Sequence, residues 1–182
     1  MSGSELSTYN AQQIDLLQFS GFTAIPVLEV VADYFPDAKI RLLLASDDIA
    51  ALYGWNKNKD FHLRRIDSTV DHCSLLMHDV VQKKKDARFT IEIWRYTVTP
   101  SIAGIIVDDW LVSIGWYSIY PSDESPTGFA ILGHNLPVVT VVGEKARSFL
   151  KIVRDQFAVL ISNRDPDISL RIDPDVSIKV WE

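Results

Sequence analysis

The chain alternates short apolar runs with amphipathic stretches, and their order predicts a layered α/β fold. Residues 14–20, IDLLQFS, have the apolar density of a buried strand, which Gly21 interrupts. From 22 to 35, Ile25, Leu28, Val31 and Phe35 recur near the helical period, and Pro26 suits the first turn of such a helix. KIRLLLA, 39–45, reads as a second strand. Strand, helix and strand in succession favour a parallel pair. SDDIAALYG, 46–54, opens on a capping serine with acidic residues behind it and closes on glycine, which are the marks of a short helix. From 59 to 84, Ile66, Val70, Cys73, Met77 and Val80 keep three- and four-residue steps, and lysines 83–85 suit the negative end of that helix.

RFTIEIWRYTV, 88–98, alternates apolar and polar residues and predicts a half-buried strand. Within SIAGIIVDDWLVSIGWYS, 101–118, two further strands meet at Asp108 and Asp109. PSDESPTGF, 121–129, is rich in turn formers and predicts a surface loop. LPVVTVVG, 136–143, reads as a short buried strand. The stretch 144–163 predicts an amphipathic helix with Phe149, Ile152, Val153, Phe157 and Leu160 on one side. The expectation is a single-domain α/β sandwich with a mixed sheet over 13–163. A flexible lead, 1–12, precedes it, and an extended C-terminal arm with two Asp-Pro-Asp units, 164–182, follows. No internal repeat is visible.

Composition places the chain among ordinary globular proteins: 182 residues, 47% hydrophobic and 23% charged, enough for one sizeable core. The formal net charge of −6 argues against a nucleic-acid or anionic-membrane partner, which need a basic face. A single cysteine, Cys73, excludes an internal disulfide. With no apolar leader and no run of membrane-spanning length, this makes a reducing cytoplasm the expected compartment.

Few residues suggest chemistry. No phosphate-binding glycine loop, dinucleotide fingerprint or nucleophile elbow is present. Of four histidines, His62, His72 and His78 fall on the long helix at spacings too wide to share a metal, so no metal and no cofactor are expected. His134 follows a glycine in ILGHNLP, a loop-like setting. Cys73 lies on the apolar stripe of its helix and reads as a packed, inert thiol. The aromatic residues Trp94, Trp110, Trp116, Tyr96, Tyr117 and Tyr120 concentrate on the central strands, as core or as pocket wall.

The stretch 101–118 resembles the signature of the phospholipase D superfamily: His-x-Lys, four residues, Asp, six residues, Gly-Ser-x-Asn. Asp108 takes the place of the aspartate and Gly115 that of the glycine. Ser101 stands where the histidine belongs, Ala103 where the lysine belongs, Trp116 for the serine and Ser118 for the asparagine. The surrounding order of strands and helices is similar to one half of that fold. In the family the histidine attacks phosphorus and the lysine stabilises phosphoryl charge. The resemblance therefore implies a degenerate, non-catalytic domain without phosphodiesterase or nuclease activity. Because active members need two motif copies, it implies a homodimer. It further implies a ligand-sensing or self-association role in a bacterial regulatory, signalling or defence protein. The expected pocket for a phosphate-containing small molecule lies near Ser101, Asp108, Trp110, Trp116 and Tyr117. Ser46, Asp47 and Asp48 join it at the carboxyl end of a strand, where open α/β sheets receive ligands.

Two other readings stand beside this one. In a phosphodiesterase with a rearranged site, His62, His72 or His134 would supply the missing nucleophile or base, His134 being the best placed. In a structural interaction domain, the aromatic surface and the C-terminal arm would meet a protein partner. Asp108 equally reads as a turn former capping a hairpin.

Overall fold

A computed structural model describes residues 10–53, 60–83, 88–132 and 138–162, and the backbone of 164–172. In chain order the elements are β1 (Gln13–Leu17), a 3-10 turn (Phe22–Ala24) running into α1 (Ile25–Tyr34), β2 (Lys39–Ala45), α2 (Asp47–Tyr53), α3 (Asp60–Lys83) and β3 (Thr90–Tyr96). They continue with β4 (Ile102–Val107), β5 (Leu111–Trp116), β6 (Ser118–Pro121), β7 (Phe129–Leu132), β8 (Val138–Val142), α4 (Glu144–Ser162) and β9 (Arg164–Ile172). The order within the main sheet is β8-β5-β4-β1-β2-β3-β9, seven strands among the described residues. β1, β2 and β3 are parallel, and the remaining pairs are antiparallel. This is the mixed α/β sheet that the hydrophobic pattern predicts.

The architecture follows from where the apolar residues point. β1 and β2 lie at the middle of the sheet and are covered on both faces, so Ile40, Leu42, Leu43 and Leu44 are all buried and the run reads as continuously apolar. On one face Ile14, Leu16, Ile40, Leu42 and Leu44 meet α1 and α3, whose buried stripe is Ile66, Thr69, Cys73, Met77 and Val80. On the other face Leu17, Leu43, Ile106 and Val112 lie under α4, which buries Ala146, Leu150, Val153, Phe157 and Leu160. Pro26 occupies the first turn of α1, where its missing N–H costs nothing. Cys73 is fully enclosed, and burial pushes its thiol up to about 12.

Three details depart from the pattern. β8 is not a buried strand: Val138, Val139 and Val142 are exposed, because the strand is the outermost of those described in the sheet. Ile152 on α4 is 63% exposed, since the stripe from Leu150 through Val153 to Phe157 turns it toward solvent. The loop after position 120 is the tip of a hairpin, with β6 and β7 paired on either side of it. Ser125 Oγ at that tip donates to the Leu52 carbonyl at 2.6 Å, anchoring the hairpin to α2.

Candidate functional site

The hairpin β4–β5 carries the residues of interest at its two ends. Ala103 pairs with Gly115, Ile102 with Trp116, and the Tyr117 N–H donates to the Ser101 carbonyl at 3.1 Å. Asp108 lies at the other end, roughly 20 Å from Ser101 at about 3.3 Å per residue of extended strand. The expectation of one pocket containing both Ser101 and Asp108 is therefore corrected. Ser101, Trp116 and Tyr117 share one end of the sheet with Ser46, Asp47 and Asp48, while Asp108 and Trp110 share the other with the start of β1. His134 lies outside the described residues.

At its own end Asp108 works as a clasp. It adopts φ 44°, a left-handed conformation that aspartate tolerates better than most residues. Its carboxylate accepts backbone N–H bonds from Gln12 at 3.0 Å and Gln13 at 2.8 Å. Its own N–H donates to the Gln13 carbonyl at 2.9 Å. The hairpin tip is thus tied to the entry of the central strand. Arg154 of α4 ties it a second time, donating to the Asp108 carbonyl at 3.0 Å and pairing with Asp109 at 2.7 Å. This supports the reading of Asp108 as a turn former. Replacing it should be a stability lesion: Asp108→Ala is expected to cost about 2–3 kcal/mol, since two hydrogen bonds to a charged group are lost. Asp108→Gly, which accepts the positive φ, should cost about 1 kcal/mol less. Urea unfolding of the two variants checks both values; equal losses would mean the backbone conformation contributes nothing.

A cleft of about 550 Å³ opens beside this clasp, walled by Ile106, Trp110, Gly143 and Arg147 with Asp15 at its floor. Asp15 is buried and held by a two-pronged ion pair, Arg41 Nε to Oδ1 and Nη2 to Oδ2, both at 2.6 Å. Gln13 Nε2 adds a contact at 3.1 Å, and the carboxylate raises the Arg41 pKa. Sequence reading missed this pair. The available signal is that Asp15 and Arg41 interrupt two apolar runs at positions that face each other across β1 and β2. Acidic groups outnumber basic ones in the cleft: with the Asp15–Arg41 and Asp109–Arg154 pairs set against each other, Asp108 and Glu144 stand against Arg147. That balance does not suit a phosphate.

Among the described residues, aromatic side chains pack the opposite end, at the carboxyl ends of β1, β2 and β3. Phe19, His62, Tyr96 and Tyr117 are all buried there. The Tyr96 hydroxyl donates to the Gln18 carbonyl at 3.0 Å, and the Phe19 ring meets His62 and Tyr117 edge-on at 5.5 and 6.4 Å. Burial raises the pKa of both tyrosines, so neither is poised to lose its proton. Ser46 is buried as the cap of α2, its Oγ accepting the Ile49 N–H at 3.4 Å. The Asp47 carboxylate binds the guanidinium of Arg95, a buried cation whose pKa burial lowers while Asp47 and Asp67 oppose that loss. Asp48 and Ser101 are exposed, and Trp116 is 44% exposed. His72 lies 3.3 Å from Glu29 and His78 3.0 Å from Gln82, both on helix surfaces. Among the described residues no three His, Cys, Asp or Glu side chains gather in a way that could hold a metal ion. No described helix is long and apolar enough to cross a membrane.

Fold and site together define a mixed α/β domain with a clasped hairpin at one end and an aromatic plug at the other. No protein-family model matches the chain, and no curated protein matches it in sequence. Among solved structures, phosphatidylserine synthase from Haemophilus influenzae Rd KW20 is similar over 88% of this chain and 35% of its own. The two share 11% sequence identity with a TM-score of 0.39, and this chain spans about a third of that protein. A likeness that distant transfers no activity.

Proposed function

We propose that this chain is a non-catalytic, phospholipase D-like α/β half whose role is association with a second copy of itself rather than turnover. It would serve as the self-association part of a regulatory, signalling or defence protein. The observation that carries this reading is the plug: the end of the sheet where such folds take ligands holds Phe19, His62, Tyr96 and Tyr117 packed together. The residues at the motif positions, Ser101 and Ala103, supply neither an activated nucleophile nor a cation. The cleft at the other end has the wrong charge balance for a phosphate ester. Self-association remains, and the sheet offers an apolar surface for it.

The test has two arms. Incubation with bis(p-nitrophenyl) phosphate and with single-stranded DNA should give no product above buffer. Native mass spectrometry should give a dimer. Hydrolysis that disappears in His134→Ala would overturn the reading in favour of a rearranged active site, and a protein monomeric at all concentrations would overturn self-association.

A further inference from the structure

Among the described residues, the two edges of the main sheet are built differently. β9, at one edge, contains Arg164, Asp165, Pro166, Asp167 and Arg171, and its register on β3 shifts between Ile93 and Arg95. Charges, a proline and an irregular register are the devices by which edge strands refuse further pairing. β8, at the other edge, has none of them. Its sequence is Val-Val-Thr-Val-Val, its register on β5 runs unbroken from Val138 to Val142, and four of its five residues are exposed. Five β-branched residues without a charge or a proline make a template for another strand.

We infer that β8 pairs antiparallel with β8 of a second copy, joining the two sheets into one across a two-fold axis at Thr140. This rests on the self-association reading above and names the surface that performs it. The strand is its own complement. With Thr140 opposite Thr140, Val138 falls opposite Val142 and Val139 opposite Val141, so valine meets valine at every other position. No like charges meet, which matters in a chain of net charge −6. Thr140 already shares a hydrogen bond with Ser113 of β5 at 2.8 Å. Across the axis the two threonines and two serines form one hydroxyl ladder, a favourable cross-strand pairing. The same face continues inward as a groove of about 390 Å³ lined by Leu16, Val27, Ala103, Ile105 and Val138. Edge pairing doubles this groove, because a two-fold axis perpendicular to the sheet keeps like faces together.

The experiment is a charge swap at position 140, which is exposed, so that both variants keep the fold, as far-UV circular dichroism checks. Thr140→Lys and Thr140→Glu each place like charges opposite each other and should weaken the dimer at least about tenfold. An equimolar mixture should restore a dimer that native mass spectrometry resolves as the mixed species. A wild-type dimer that neither variant disturbs would overturn edge pairing while leaving self-association intact. Variants that dissociate but fail to recombine would also overturn it. A monomeric wild type would overturn this inference and the reading it rests on, leaving the edge to a strand of a different protein.

Discussion

Gly21→Ala should destabilise the protein by about 3 kcal/mol, a large part of the usual margin of a single domain. Gly21 joins the end of β1 to the 3-10 turn before α1, with φ 75°, and its carbonyl accepts the Ala24 N–H at 2.8 Å. An L-residue in this conformation costs about 1 kcal/mol. The larger part is steric. A Cβ on Gly21 would lie 2.7 Å from Leu44 Cδ2 and 2.7 Å from Thr69 Cγ2. Both side chains are fully buried, and Thr69 is fixed further by hydrogen bonds from its hydroxyl to the Ser20 and Arg65 carbonyls at 3.0 and 2.9 Å. Neither can retreat, and forcing a methyl into a closed core costs about 1–3 kcal/mol. Gly128 supplies the control. It has the same φ of 75°, and a methyl added there would meet nothing within 4 Å, so Gly128→Ala should lose only the conformational part, about 1 kcal/mol. Equal losses in urea unfolding would show that the space around Gly21 is not closed.

That contact also shows what the sequence made legible. A glycine after IDLLQFS marks the end of a strand, and the break was visible. What approaches the glycine was not, because Leu44 and Thr69 are distant in sequence and meet it only once α3 lies on the sheet. The same division runs through the molecule. The parallel β1–β2 unit, the long helix and the hairpin meeting at Asp108 follow from periodicity and turn chemistry, which are local. β8 was misread because five valine and threonine residues are equally apolar in the middle of a sheet and at its edge, and strand order decides which. β6 and β7 escaped because each is short and the turn formers between them dominate the window.

The site divides in the same way. The spacing of Ser101, Asp108 and Gly115 suggested one constellation. A spacing in sequence becomes a distance only after the secondary structure is known. With β4 extended, the interval that would be short on a helix carries Ser101 and Asp108 to opposite ends of the sheet. Asp47 was visible as an acidic residue at a strand end, but its partner Arg95 was passed over, although it follows Ile91 and Ile93 at two-residue steps on the buried face of β3. Burial of Arg95 against α2 makes Asp47 a counterion instead of a ligand group.

Stability should fall as pH drops from about 6.5 to about 4, and His62 should be the main cause. His62 begins α3 between the rings of Phe19 and Phe61, at centroid distances of 5.5 and 5.2 Å, and is 5% exposed. Burial, with a smaller contribution from the Arg65 charge, lowers its pKa from 6.5 to about 4. The unfolded chain therefore takes up a proton in a range where the folded protein refuses it. Stability is complete above the unfolded value and declines as pH falls toward the folded one, by up to about 3 kcal/mol. Asp67 acts in the opposite sense: its pKa is raised by burial and by the neighbouring Asp47, so protonation at the acid end favours the folded state. The contribution of His62 is then the difference between two profiles rather than one slope. His62→Phe keeps an aromatic ring in the plug and removes the titration, so its unfolding free energy should change much less between pH 7 and pH 4.5. A wild-type profile as flat as that of the variant would mean that His62 accepts its proton in place. The plug at the carboxyl ends of β1 and β2 would then admit charge, and water with it, which is the property a ligand site at that end requires.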